Sequence, residues 1–433
     1  MSIVSSLNDL PVTQDVASRI IDFIGSSGQP PEYGLELFSS GWDGFLETID
    51  YEYLDTYIKA GGTAFKVLTA GYGSGKTHFL YCVRNLAFKH NYAVSYVTLN
   101  YQDIPFSDLA AVYKAIVSNI VYPLSAEELL SDHERGIENF INVWYFGKYE
   151  EFKIGGLSDD AVRTNLRTYI SKIGNLPSSN FSRILRIAFL SKVDRREDSF
   201  NLAIQWLKAE GSVTVIQTDH QKRRIKKTDK NNALLMIYSL IQWIKQIGYS
   251  GVVILFDEVE RNPVAQNIRN RKVLSAVLSN LREFIDECAN NRMHNSIIFY
   301  AVPDLNFLSQ RETAYPALNQ RLNRIFWEYY NPRGIVLDLE IHPDLLPEVL
   351  KEIGLKLAAI YEIAYGITLP ADNLAQSINN LLKTVLETRV SDGIMRLYVQ
   401  AATRIFNLQK SRPNTIVSPQ EAETIITKLR QMS

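Results

Sequence analysis

The sequence predicts an α/β fold: a mostly parallel sheet flanked by helices, with a helical insertion and a helical carboxy-terminal lid. Three observations predict it. Short, largely apolar runs alternate with longer stretches of helical periodicity, the pattern of strands covered on both faces. One such run, residues 64–68, feeds the glycine-rich loop Gly71-Tyr72-Gly73-Ser74-Gly75 and then a helix. Another, residues 252–256, ends in the paired acids Asp257-Glu258.

Residues 1–60 read as an amino-terminal helical segment. Val16, Ile20, Ile21, Phe23 and Ile24 recur at helical spacing, and Ser26-Ser27-Gly28-Gln29-Pro30-Pro31 breaks the run. Residues 61–334 form the core. Its first strand, 64–68, is followed by a helix from Lys76 with Phe79, Leu80, Val83 and Leu86 on one face. Residues 92–99, rich in valine and tyrosine, make the next strand. Residues 104–245 read as a helical insertion without an internal repeat. After strand 252–256 come a helix carrying Val273, Val277, Leu281 and Ile285 and a strand at 296–302. The last unit, 335–433, starts with a final strand at 335–339 and continues as the helical lid. Its last helix opens with the capping box Ser418-Pro419-Gln420-Glu421, proline standing at the first helical position.

The chain has 433 residues, 46% hydrophobic and 21% charged, enough for a large core and two or three modules. Two cysteines, Cys82 and Cys288, make neither a disulfide framework nor a four-cysteine zinc site, which fits a reducing cytoplasm. The amino terminus lacks the pattern of a secretory signal, and no run of about 18 apolar residues offers a membrane span. With 46 basic and 47 acidic residues, contact with nucleic acid requires a local patch.

Ala70-Gly71-Tyr72-Gly73-Ser74-Gly75-Lys76-Thr77 fits the Walker A pattern, with alanine in place of the first glycine. Its glycines let consecutive backbone N–H groups turn inward around phosphate oxygens, at the positive end of the following helix. Gly71, Tyr72, Gly73, Ser74, Gly75, Lys76, Thr77 and His78 are the expected ATP contacts. Lys76 is placed to reach the β- and γ-phosphates, and the Thr77 hydroxyl to ligate Mg²⁺. The alternative is a chance glycine-rich turn, but the strand-to-helix context is the one the motif requires. On this motif the fold is a P-loop NTPase of the AAA+/ASCE kind.

The strand ending in Asp257-Glu258 supplies a Walker B site. Asp257 is expected to hold Mg²⁺ through water, and Glu258 to act as general base or orienter of the attacking water. Glu260 reads as a surface or interface residue. Asp304, after strand 296–302, is either a sensor of the γ-phosphate or a helix or turn cap. Arg321 and Arg324 stand where such proteins carry an arginine finger that completes a neighbour's site, which would imply a homo-oligomer; local ion pairs are the other use of them. Arg396, at the start of a lid helix, is a candidate second sensor contacting the nucleotide.

Lys222, Arg223, Arg224, Lys226 and Lys227 make the only dense basic run. It offers a track for a DNA or RNA backbone, or a solvated loop; it lacks interleaved aromatics for stacking. The six histidines show no metal-ligand spacing, and His78 reads as a helix residue near the phosphates.

With these residues in place the chain resembles the ATP-binding proteins of bacterial BREX-type phage-defence loci. The resemblance runs through Pro30-Pro31-Glu32-Tyr33-Gly34-Leu35-Glu36-Leu37-Phe38, Gly71 to Leu80, Gln205-Trp206-Leu207-Lys208, and Gly248-Tyr249-Ser250-Gly251 leading into Asp257-Glu258-Val259-Glu260. It implies an AAA+-like ATPase with an origin-recognition-like organisation, working beside a helicase or other DNA-acting partner. A nucleotide-dependent scaffold with little intrinsic hydrolysis is the main alternative, and Glu258 argues against it. A P-loop phosphotransferase ranks below both, and a processive helicase lacks its second motor domain.

Overall fold

The structure, a computed structural model, describes residues 12–27, 30–100, 103–125, 128–129, 133–210, 213–218, 221–226, 228–258, 271–303, 318, 322, 333–388 and 393–432. The chain begins with α1 (Gln14–Ser27), a 3₁₀ turn (Leu35–Leu37) and α2 (Asp43–Glu47), which runs on as π-type turns over Thr48–Ile58. Then come β1 (Thr63–Thr69), α3 (Lys76–Lys89), β2 (Tyr92–Thr98), α4 (Leu109–Asn119) and β3 (Ile120–Val121). Four helices follow, α5 (Ile137–Ile154), α6 (Asp159–Ser171), α7 (Ser179–Val193) and α8 (Glu197–Leu207), then a hairpin of β4 (Val213–Thr218) and β5 (Gln221–Lys226). The core resumes with α9 (Ala233–Gln246), β6 (Gly251–Asp257), α10 (Arg271–Ala289), β7 (Ser296–Val302) and β8 (Val336–Asp338). The lid is α11 (Leu346–Tyr365), α12 (Ala371–Glu387), α13 (Ile394–Ser411) and α14 (Pro419–Met432).

Six strands form the main sheet in the order β3-β2-β6-β7-β1-β8, all neighbours parallel except β2 and β3. β7 therefore separates the strand before the glycine loop from the strand that ends in the acids, the arrangement of AAA+/ASCE P-loop NTPases. Parallel strands bring all their carboxyl ends to one edge, where ligands of open α/β sheets bind. Alternate residues serve opposite layers: Val252, Ile254 and Phe256 join the core shared with α4–α10, whereas Val253 and Leu255 join Phe79, Leu80 and Val83 of α3. Asp257 is on the second face, the one that α3 covers.

Two expectations need correction. Residues 104–245 are mainly helical but also contain β3 and the β4–β5 hairpin. Ile120 and Val121 pair antiparallel with Ser95 and Val94 and extend the sheet edge, while β4 is a β-branched run that pairs with the basic strand. Residues 1–60 do not act as one segment. Ile20, Ile21 and Ile24 of α1 pack into the lid core with Leu357, Tyr361 and Phe406, whereas Trp42, Phe45, Ile49 and Leu54 pack on the sheet side. Each half has one apolar stripe, and the two stripes find different partners.

Polar contacts tie the amino-terminal segment to the lid. Ser40 Oγ donates to Glu352 at 2.6 Å, and Lys356 Nζ donates to the Ser39 carbonyl at 2.7 Å. In the lid the capping box forms: Ser418 N–H donates to Glu421 at 2.8 Å and Glu421 N–H to Ser418 Oγ at 3.3 Å. No helix among the described residues is long and apolar enough to cross a membrane.

Candidate functional site

β1 ends at Thr69, and residues 70–75 turn the chain into α3. Gly73 (φ +70°) and Gly75 (φ +96°) take left-handed backbone there. A Cβ on Gly75 would lie 2.3 Å from the Trp42 ring, and one on Gly73 2.6 Å from Cα of Gly393. The second approach sets the loop directly against the start of α13. Lys76, 6% exposed, donates from Nζ to the carbonyls of Ala70 (2.9 Å) and Gly71 (3.1 Å), so its ammonium lies over the loop it follows. A helix start beside an ammonium favours an anion.

Asp257 is 1% exposed, and its carboxylate accepts three hydrogen bonds. Thr77 Oγ1 donates to Oδ2 at 2.7 Å, the Tyr96 hydroxyl donates to the same oxygen at 2.6 Å, and Glu258 N–H donates to Oδ1 at 2.8 Å. These donors compensate the loss of water around the buried group. Burial, followed by the neighbouring Asp257 carboxylate, pushes the Tyr96 phenol far above the usual tyrosine range, so it remains a donor. The sequence reading missed Tyr96. Tyr96 pairs with Leu255 in the β2–β6 register and so shares the face of Asp257, a relation that exists only once the strands are paired. Its sequence signal was a tyrosine near the end of a strand, read simply as a strand former.

Glu258 leaves β6 at φ +56°, a conformation that costs a residue with a side chain about 1 kcal/mol. It lines the same cleft as Lys76, Thr77 and Asp257. The cleft is open to solvent at its mouth. Its remaining lining includes the apolar side chains Ile24, Phe38, Ile353, Met395 and Val399, contributed by α1, the 3₁₀ region and the lid. Arg396 Nη1 donates to the Tyr72 hydroxyl at 3.4 Å, and both residues line the cleft.

His78 is held away from a chemical role. Ser39 Oγ donates to the Leu35 carbonyl at 2.7 Å and meets His78 Nε2 at 2.6 Å, so the hydrogen of that pair sits on Nε2. Phe38 and Trp42 pack edge-on against the imidazole, with ring centroids at 5.1 and 5.7 Å. Burial pulls its pKa down to about 4, leaving the ring neutral at pH 7. Both cysteines are buried thiols, and burial raises each to about 12.

Thr77 and Asp257 offer oxygen donors alone, and Mg²⁺ takes one or two protein oxygens while keeping water and phosphate for its other positions. The donor set fits that ion. Arg321, Arg324, Asp304, Glu260 and Lys227 lie outside the described residues. Lys222, Arg223, Arg224 and Lys226 stand in β5, one strand of a hairpin.

The profile of a family described as BREX system ATP-binding protein BrxC/D matches residues 12–411. The chain belongs to this family. No match exists among curated proteins. Among solved structures, a chain of Drosophila ORC bound to DNA matches at 10% identity, over 98% of this chain and 68% of that one, with a TM-score of 0.38.

Of the flanking segments that carry the resemblance to BREX ATP-binding proteins, residues 30–38 reach the cleft and residues 205–208 lie in the core. Glu32 pairs through Oε2 with Nη1 of the buried Arg84 at 2.6 Å and through Oε1 with Arg135 at 3.2 Å; its carbonyl also accepts from Arg84. Burial opposes the Glu32 charge, but the cations around it, Arg84 first and then Arg135 and His133, together hold the carboxyl below the usual range. Pro30 and Phe38 line the cleft, and Trp206 packs at 2% exposure in the core that α5–α9 share.

Proposed function

We propose that this member of the BREX ATP-binding family binds and hydrolyses Mg-ATP to drive or gate a DNA-associated assembly in phage defence. The observation that carries the reading is the meeting of Lys76, Thr77, Asp257 and Glu258 at one cleft, from the ends of two strands that are not neighbours. The N–H groups of residues 71–77 and the Lys76 ammonium hold the β- and γ-phosphate oxygens, Lys76 exchanging its loop carbonyls for them. Thr77 and Asp257 hold Mg²⁺, which supplies neutralisation of phosphate charge. Glu258 orients the attacking water or accepts its proton. The apolar part of the lining receives the base, and Arg396 reaches the phosphates from the lid.

Arg321 or Arg324 acts as the finger toward a neighbouring copy in a homo-oligomer. Lys222, Arg223, Arg224, Lys226 and Lys227 contact a DNA backbone, and a helicase-type or other DNA-acting protein is the partner. The test is steady-state ATP hydrolysis by the full chain, with and without duplex DNA, beside Lys76→Ala and Glu258→Gln. Turnover abolished by both substitutions, with ATP binding kept in Glu258→Gln, is the expected result. Turnover unaffected by either one removes the assignment, and stimulation by DNA separates direct action on nucleic acid from action through a partner.

A further inference from the structure

We infer that Tyr96 is a positioning residue of the metal site, fixing the Asp257 carboxylate so that an ion or its water meets it through Oδ1 alone. The inference rests on the nucleotide reading above and adds to it a residue that the Walker motifs do not contain. A carboxylate offers about four lone-pair directions, two on each oxygen. On Asp257, Thr77 and Tyr96 occupy both directions of Oδ2, and the Glu258 N–H occupies one of Oδ1. One direction is left. The carboxylate is thus committed to single-oxygen contact, in a plane set by donors from α3, β2 and its own chain.

The Tyr96 hydroxyl is itself well supported. Its ring lies 5.1 Å from that of Tyr81 at an interplanar angle of 47°. The Arg84 guanidinium stacks over Tyr81, 4.5 Å from the ring centroid, and Glu32 anchors Arg84 through its carboxylate and its carbonyl. Tyr96 and Asp257 lie on neighbouring parallel strands, Tyr96 opposite Leu255 and Thr98 opposite Asp257. The tyrosine therefore starts two residues behind the carboxylate on the same face, and its length spans that offset. Phenylalanine would fill the same space and donate nothing. Partners of this kind, one shell out from a metal, typically change metal affinity by roughly 10–100-fold.

The experiment uses the full chain and a fluorescent ATP analogue, titrated at Mg²⁺ concentrations from zero to saturation. Tyr96→Phe is expected to leave Mg²⁺-free affinity within about twofold of the wild type. The Mg²⁺ concentration that half-saturates the tightening should rise by roughly 10–100-fold. Asp257→Asn and the double variant complete a cycle in which Tyr96→Phe has little further effect once Asp257 is neutral. An unchanged Mg²⁺ half-point, effects that add in the double variant, or an equal loss of Mg²⁺-free affinity would each overturn the assignment; the last would mark Tyr96 as a packing residue. Failure of the nucleotide reading looks different. The wild type itself would then not bind the analogue, or bind it regardless of Lys76→Ala, and the role of Tyr96 would fall with it.

Discussion

Thr77 stands in the first turn of α3 and Asp257 closes β6; 180 residues separate them in sequence, and a 2.7 Å hydrogen bond joins their side chains. The hydroxyl gives its hydrogen to the carboxylate, so its oxygen keeps lone pairs for a cation. Thr77→Val keeps the shape and removes both functions, whereas Thr77→Ser keeps them. We expect Thr77→Val to lower Mg²⁺-dependent ATP turnover by at least about tenfold and Thr77→Ser to stay close to the wild type. Turnover measured against Mg²⁺ concentration checks this.

Glu258 combines a left-handed backbone with a position in the cleft, a pairing that invites a trade between stability and activity. Glu258→Gly relieves about 1 kcal/mol of backbone strain and removes the carboxylate. It should unfold at a higher temperature than Glu258→Gln, while both lose turnover by roughly 10²–10⁴-fold. Thermal melts beside hydrolysis rates decide it; equal melting temperatures for the two variants would refute the strain argument.

Gly73 and Gly61 share a positive φ but not their surroundings. An added Cβ at Gly73 meets the Gly393 backbone at 2.6 Å, and one at Gly61 meets nothing within 4 Å. Alanine at either site bears the conformational cost of about 1 kcal/mol, yet only Gly73→Ala also pushes the loop away from the lid. ATP affinity should fall in Gly73→Ala and hold in Gly61→Ala, as calorimetric titration would show.

Acid should weaken the fold through His78. Its folded pKa, about 4, lies below the unfolded value near 6.5, so the unfolded chain binds the proton more readily. Stability from this group is complete above about pH 6.5 and is lost as pH falls toward 4. The loss reaches at most about 3 kcal/mol, less in proportion to the part of the ring that faces the open cleft. His78→Gln should flatten the stability profile between pH 6.5 and 4 relative to the wild type in denaturant titrations.

Arg84 has a 5% exposed side chain and pairs with Glu32. Glu32 is 29% exposed and keeps Arg135, so removing Arg84 costs about 2 kcal/mol, less than breaking a fully buried pair. Arg84→Met should therefore destabilise the chain by that order, and Arg84→Lys should restore only part of it, since an ammonium cannot reproduce the two-point contact. Comparison of unfolding midpoints tests both.

Strands β6 and β7 were legible because each is a short apolar run. Residues 252–256 and 296–302 reappear as β6 and β7 with little change of bounds. Residues 70–77 and 257–258 stood out in the sequence because phosphate and metal chemistry would demand such side chains at fixed local spacing. β3 was hidden, being two residues long and defined by its partners in β2. The hairpin was hidden because its basic strand has the composition of a solvated loop, and only pairing with Val213–Thr218 makes it a strand.

By itself, then, the sequence determined the alternation of strands and helices, the glycine-rich loop between a strand and a helix, the acids at the end of β6 and the carboxy-terminal helices. These follow from local periodicity and from chemistry carried by neighbouring residues. Only the tertiary structure decided that α1 belongs to the lid core, that Gly73 touches Gly393, and that Tyr96 completes the hydrogen bonds of Asp257. Each of those depends on which surfaces meet and in what register, and residues far apart in the chain carry no local mark of being neighbours.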